Sequence, residues 1–159
     1  MSADPYVLRR EQWVDCPLNK VFAFFSEAHN LERITPPWLG FKILSISTGS
    51  MREGTEIDYR LRLHGIPIHW RTEILEWDPP YSFVDLQRSG PYRLWRHTHR
   101  FEAIGDRTRM LDEVRYALPF GALGRVVHAL KVRGDVQRIF DYRRQRIDKL
   151  FGEQSKNAT

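Results

Sequence analysis

The sequence predicts an α+β domain in which one long C-terminal helix covers one face of a curved antiparallel sheet. Two observations carry this. Four segments alternate apolar and polar residues with period two, the mark of strands with one covered and one wet face. A late segment instead repeats apolar residues at helical spacing for about eight turns, long enough to lie across a whole sheet. The turn signals between the alternating segments are short, so neighbouring strands read as antiparallel hairpins.

Taken in order, residues 6–14 read as a first strand. Pro17 suits the first turn of a following helix that carries Val21, Phe22, Phe24 and Phe25. A second short helix around residues 30–34 ends at Pro36-Pro37, because proline cannot continue it. Strands then fit residues 41–47, 55–63, 68–77, 83–87, 92–103 and 107–118, about seven strands with the first. On 55–63, Ile57, Tyr59, Leu61 and Leu63 oppose Glu56, Asp58, Arg60 and Arg62. On the next strand Ile68, Trp70, Thr72 and Ile74 oppose His69, Arg71 and Glu73. On 92–103, Trp95, His97, His99 and Phe101 oppose Arg96, Thr98, Arg100 and Glu102. On the last strand Met110, Asp112, Val114 and Tyr116 oppose Arg107, Arg109, Glu113 and Arg115.

The covering helix follows, with its stripe Leu123, Val127, Leu130, Val136, Ile139, Phe140, Ile147, Leu150 and Phe151. Gly134 sits where the stripe drifts and marks a kink. Residues 1–152 thus read as one domain and 153–159 as a flexible tail.

Composition narrows the function. Aromatic residues make up 13% of the chain, enough to build a large core and to exclude a disordered chain. Cys16 is the one cysteine, so no disulfide can form within the chain, which fits a reducing, cytoplasmic setting. No segment is apolar for long enough to span a bilayer, so no stable membrane insertion is expected. The net charge of +5 is concentrated between Arg125 and Lys149, with eight basic and three acidic residues. That excess reads as a solvated helix face. No zinc finger, helix-turn-helix or RNA-binding strand motif accompanies it, so a nucleic-acid partner is not expected.

The chemistry lies in "YRLWRHTHRF", residues 92–101. Parity turns both histidines toward the covered face, where Asp112 and, on its own strand, the set Phe83, Asp85 and Gln87 belong as well. Buried polar groups require partners, so mutual hydrogen bonding among them is expected. Three functions compete with a purely structural tie between strands. A pocket can use these groups to orient an apolar ligand. A His–Asp pair drawn from His97, His99 and Asp112 can act as a general base. His-x-His with Asp85 or Asp112 can ligate a metal, although two histidines fall short of the usual ligand set, and no metal or other cofactor is expected.

Three stretches carry a family resemblance: "CPLNKVFAFFSEAHNLERITPP", "EILEWDPPYSFVDLQRSGPYRLWRHTHRF" and "MLDEVRYALPFGALG…IFDYRRQRIDKLF". With the order of elements, they resemble the START-like or SRPBCC superfamily, in a bacterial branch close to the polyketide cyclase/dehydrase group. The resemblance implies the helix-grip fold and a cavity between the sheet and the last helix. It implies binding of a small apolar or aromatic molecule, with a cyclase- or dehydrase-like reaction as the alternative. On parity, the residues expected to meet that molecule begin with Tyr59, Trp70, Phe83, Asp85 and Gln87. They continue with Trp95, His97, His99, Phe101, Met110, Asp112 and Tyr116. "PFGALG" reads as a flexible loop near the cavity mouth, Cys16 as a packing residue, and His128 as a histidine on the helix surface or edge.

Overall fold

The computed structural model describes residues 4–157. Seven strands form one antiparallel sheet: β1 Tyr6–Val14, β2 Lys42–Ile46, β3 Glu56–Leu63, β4 Ile66–Asp78, β5 Ser82–Ser89, β6 Leu94–Ile104 and β7 Arg107–Ala117. Their spatial order is β1-β7-β6-β5-β4-β3-β2, so every neighbouring pair except β1–β7 is also a neighbour in sequence. Register shifts on β2, β4 and β5 interrupt the ladder and bend the sheet. The β3–β4 hairpin turns through His64 and Gly65, both at positive φ (50° and 81°), the φ pattern that matches the twist of a two-residue hairpin.

Between β1 and β2 lie helix α1 (Leu18–Ser26), a 3₁₀ turn at Ala28–Asn30, helix α2 (Leu31–Ile34) and a second 3₁₀ turn at Pro37–Leu39. Pro17 caps α1 from outside instead of entering its first turn. The inner face of α1 presents Val21, Phe22, Phe24 and Phe25 to the main core. There Phe22 and Phe25 each stand 5.4 Å from the ring of Phe101.

The C-terminal helical segment runs from Gly121 to Asn157 without a break in the chain of helical turns, beyond the boundary expected at 152. Residues 158 and 159 of the expected tail lie outside the described residues. The segment consists of α3 (Gly121–Val127), a π-helical turn (His128–Val132) and α4 (Arg133–Asn157). The irregularity therefore lies just before Gly134 and is a widened turn. From α4, Val136, Phe140, Ile147, Leu150 and Phe151 pack inward as expected. Leu123, Val127 and Leu130 do not; all three are exposed. In this segment the buried positions before α4 are Gly124 and His128, so the earlier apolar residues face out.

Outside the covered face, arginines and carboxylates pair across strands, as in Arg71–Asp58, Arg96–Glu76 and Arg109–Glu11. Such exposed pairs are screened by water and contribute little to stability. The packed face stabilises the fold.

Candidate functional site

β5, β6 and β7 lie side by side, and their registers set Asp85 opposite His97, and His99 opposite both Phe83 and Asp112. The hydrogen bonds run diagonally. His97 Nε2 is 2.7 Å from Asp112 Oδ1, and His99 Nε2 is 2.8 Å from Asp85 Oδ2. The two imidazoles stack on one another at 3.6 Å, and Phe83 stacks on the outer side of His99 at 4.0 Å. Both rings are buried, at 5% and 3% exposure. Both therefore face inward, and both find a carboxylate.

Arg143, on α4, completes the group. It is buried, and its guanidinium lies 5.4 Å from the Phe25 ring and 5.8 Å from the Phe140 ring. Burial alone would raise the pKa of Asp112. The charge of Arg143, the hydrogen bond from His97 and the nearby His99 ring outweigh it and hold Asp112 well below the usual carboxylate range. Asp85 is lowered too: burial raises it, but the His99 bond and the nearby positive charges prevail. Both carboxylates are thus ionised acceptors, and the Nε2 atoms must be the donors.

The two histidines divide the remaining proton. Burial and the charge of its stacked neighbour push His97 down to about 4, against the pull of Asp112. His99 is also penalised by burial, but Asp112 and Asp85 together raise it. His97 is therefore the neutral ring and His99 the one that charges. His97 then carries its proton on Nε2 and a free lone pair on Nδ1, which lies 3.9 Å from Asp85. His99 Nδ1 stands 3.3 Å from Asp112 Oδ1 but is not aligned for a hydrogen bond.

This group forms one wall of a cavity between the sheet, α2 and α4. The centre of a water molecule can occupy about 170 Å³ of it, roughly ten times what a single water needs. Its walls are mostly aliphatic and aromatic. Of the residues expected from the sequence, Tyr59, Trp70, Phe83, Asp85, Trp95, His97 and His99 line it. Five others stand elsewhere. Phe101 and Met110 are core residues beneath it. Gln87 holds the β5–β6 loop through both backbone groups of Tyr92, at 2.7 and 3.2 Å. Asp112 lies behind the histidines on a separate small recess that it shares with Arg143. Tyr116 hydrogen-bonds His128 at 2.8 Å. His128 is not a surface residue: it is buried and stacked on Tyr6 at 3.4 Å. Cys16 is buried, and burial pushes its thiol pKa up, as fits a packing residue.

Arg143 was not anticipated, yet it occupies the run Val136, Phe140, Arg143, Ile147, Leu150, whose spacing of four, three, four and three marks the inner helix face. Tyr92, Ile139 and Phe140 also line the cavity.

Buried nitrogens without a hydrogen-bond partner include three in residues of this wall that can only donate: Trp70 Nε1 and Arg143 Nε and Nη2. Asp85, His97 and His99 can also bring one ligand atom each within 4.8 Å of one another, as a metal would require. A cation held between Asp85, His97 Nδ1 and His99 Nε2 would displace the His99–Asp85 hydrogen bond and meet the fixed charge of Arg143. The arrangement fits a proton-bearing network better than a metal centre.

No curated protein matches the chain in sequence. Among solved structures, it resembles the Zhui aromatase/cyclase of a Streptomyces species at a TM-score of 0.74 and 13% identity, covering 97% of this chain and 96% of that one. A norcoclaurine synthase point mutant from Thalictrum, bound to a transition-state analogue, matches at 0.71 and 18% over 98% and 99%. A START superfamily protein from Mycobacterium smegmatis matches at 0.68 and 11% over 91% and 98%. At these identities the likeness establishes the helix-grip fold. Residues 14–138 match the model of the family described as polyketide cyclase/dehydrase and lipid transport, and the chain belongs to that family.

Proposed function

We propose that this chain binds a small, mainly apolar molecule in the cavity and orients it through an acceptor oxygen. The carrying observation is the set of unfilled donors on Trp70 and Arg143, two residues that line a mostly apolar cavity. A buried N–H without a partner costs on the order of 1–3 kcal/mol, which an acceptor on the ligand would recover. The family's association with lipid transport supports carriage of an apolar cargo. The test is calorimetric titration with one- to three-ring aryl methyl ketones and their matched alkyl hydrocarbons. The ketones should bind about ten-fold tighter, and Arg143→Met or Trp70→Phe should narrow the gap. Equal affinity within every pair would remove the orienting role, and no binding by any member would remove the cavity-binding reading.

The neutral state of His97 favours a second reading, a cyclase- or dehydrase-like enzyme. Asp112 fixes the tautomer, leaving the Nδ1 lone pair to take a proton from carbon beside a ligand carbonyl. Arg143 would hold the oxygen on which negative charge develops. The fold shared with an aromatase/cyclase supports this reading. Deuterium exchange into the methyl group of a bound aryl methyl ketone tests it. His97→Gln should abolish the catalysed exchange while leaving ketone binding in place, and exchange no faster than in buffer with the wild type would rule the reading out.

A further inference from the structure

We propose that the α3 face and the following π-helical turn form a docking surface for an anionic lipid bilayer. Phe120, Leu123, Val126, Val127 and Leu130 are all exposed, Phe120 and Leu130 by 80% and 82%. From Leu123 on, these side chains fall within an arc of about 100° on a helical wheel, away from the buried positions Gly124 and His128. Phe120 holds a left-handed backbone (φ 68°), which an aromatic residue adopts at a cost, and its ring lies in solvent. A solvent-exposed apolar stripe of this kind is unexplained by the fold itself.

Charge selects the occupant. No acidic residue lies between Pro119 and Gly134, while Arg125, Lys131 and Arg133 do, all exposed. Among the described residues none of the three takes part in an ion pair, in contrast to the paired arginines of the sheet's outer face. A two-fold contact between copies would bring these cations against their own equivalents. A bilayer with anionic headgroups would receive the apolar stripe and neutralise the rim together. At the end of this face, His64 at the β3–β4 turn bonds Asp135 at 2.7 Å, and Ile66 on the same hairpin is exposed. Leu63, beside His64, lines the cavity, so the surface borders one end of the cavity. No helix among the described residues is long and apolar enough to cross a membrane, and the contact proposed is peripheral.

The test is co-sedimentation of the full chain with vesicles of phosphatidylcholine alone and of phosphatidylcholine containing phosphatidylglycerol. The wild type should sediment with the anionic vesicles only, and added salt should release it. Leu130→Ser should weaken partitioning about ten-fold and Lys131→Ala about five-fold, with unchanged circular dichroism because both positions are exposed. No sedimentation with anionic vesicles, or equal sedimentation of a Leu123→Ser/Leu130→Ser double variant, would overturn the proposal. So would a concentration-dependent dimer in light scattering that the double variant abolishes, which would assign the face to a second copy.

Discussion

His97→Gln should flatten the acid limb of the stability curve. Gln places an amide N–H near the position of Nε2, so it can still donate to Asp112, but it does not titrate. In the unfolded chain His97 and His99 both take protons near pH 6.5. In the native protein His99 is raised and charges readily, whereas His97 is held down to about 4. A lowered histidine stabilises the fold above its unfolded pKa, and that stability is lost as pH falls through the window toward its folded value. Between pH 6.5 and 4 the unfolded wild type therefore holds about one more proton than the native state on this pair. The slope is about 1.4 kcal/mol per pH unit, and the span of roughly 2.5 units gives about 3 kcal/mol. In the variant only His99 remains, and it is charged in both states over this window. Urea unfolding from pH 7 to pH 4 measures the difference, and the other carboxylates cancel between the two proteins. Parallel curves would show that His97 protonates freely in the native state, and the division of the proton between the rings would be wrong.

Three further outcomes follow from the same contacts. Asp112→Asn removes one of the two carboxylates that raise His99, so the His99 pKa should fall, as read from imidazole NMR shifts against pH; an unchanged value would contradict the assignment. The same change leaves Arg143 with less compensation and should lower stability by about 3 kcal/mol in chemical denaturation. Phe101→Ala should cost about 3–5 kcal/mol, because the ring is fully buried among Phe22, Phe25 and Phe83; a loss below about 1 kcal/mol would mean the core collapses into the space.

Alternation placed both histidines on the covered face because side-chain direction in a strand follows parity alone. Parity does not give depth. Phe101 and Met110 share the face of His97 and Asp112 yet sit in the core beneath the cavity. The diagonal pairing of each histidine also depends on register across three strands, which local patterns leave open. Arg143 was hidden by its charge, since a stripe drawn from apolar residues alone passes over it. The early helix was misplaced for a different reason. Leu123, Val127 and Leu130 repeat at four and three like the buried stripe of α4, but Val136 lies six positions after Leu130, which is about 120° out of phase on a regular helix. The drift near Gly134 was the visible trace of that shift.

The central claim is that the cavity takes an apolar ligand whose acceptor oxygen meets the unfilled donors. The indole N–H resonances of uniformly ¹⁵N-labelled protein test it most directly. On titration with an aryl methyl ketone that binds, the Trp70 N–H should move downfield as it gains an acceptor, while the exposed Trp13 and Trp38 stay in place. The matched hydrocarbon should leave the Trp70 proton without that downfield shift. Movement confined to Trp13 or Trp38, or a Trp70 response identical for ketone and hydrocarbon, would contradict the account.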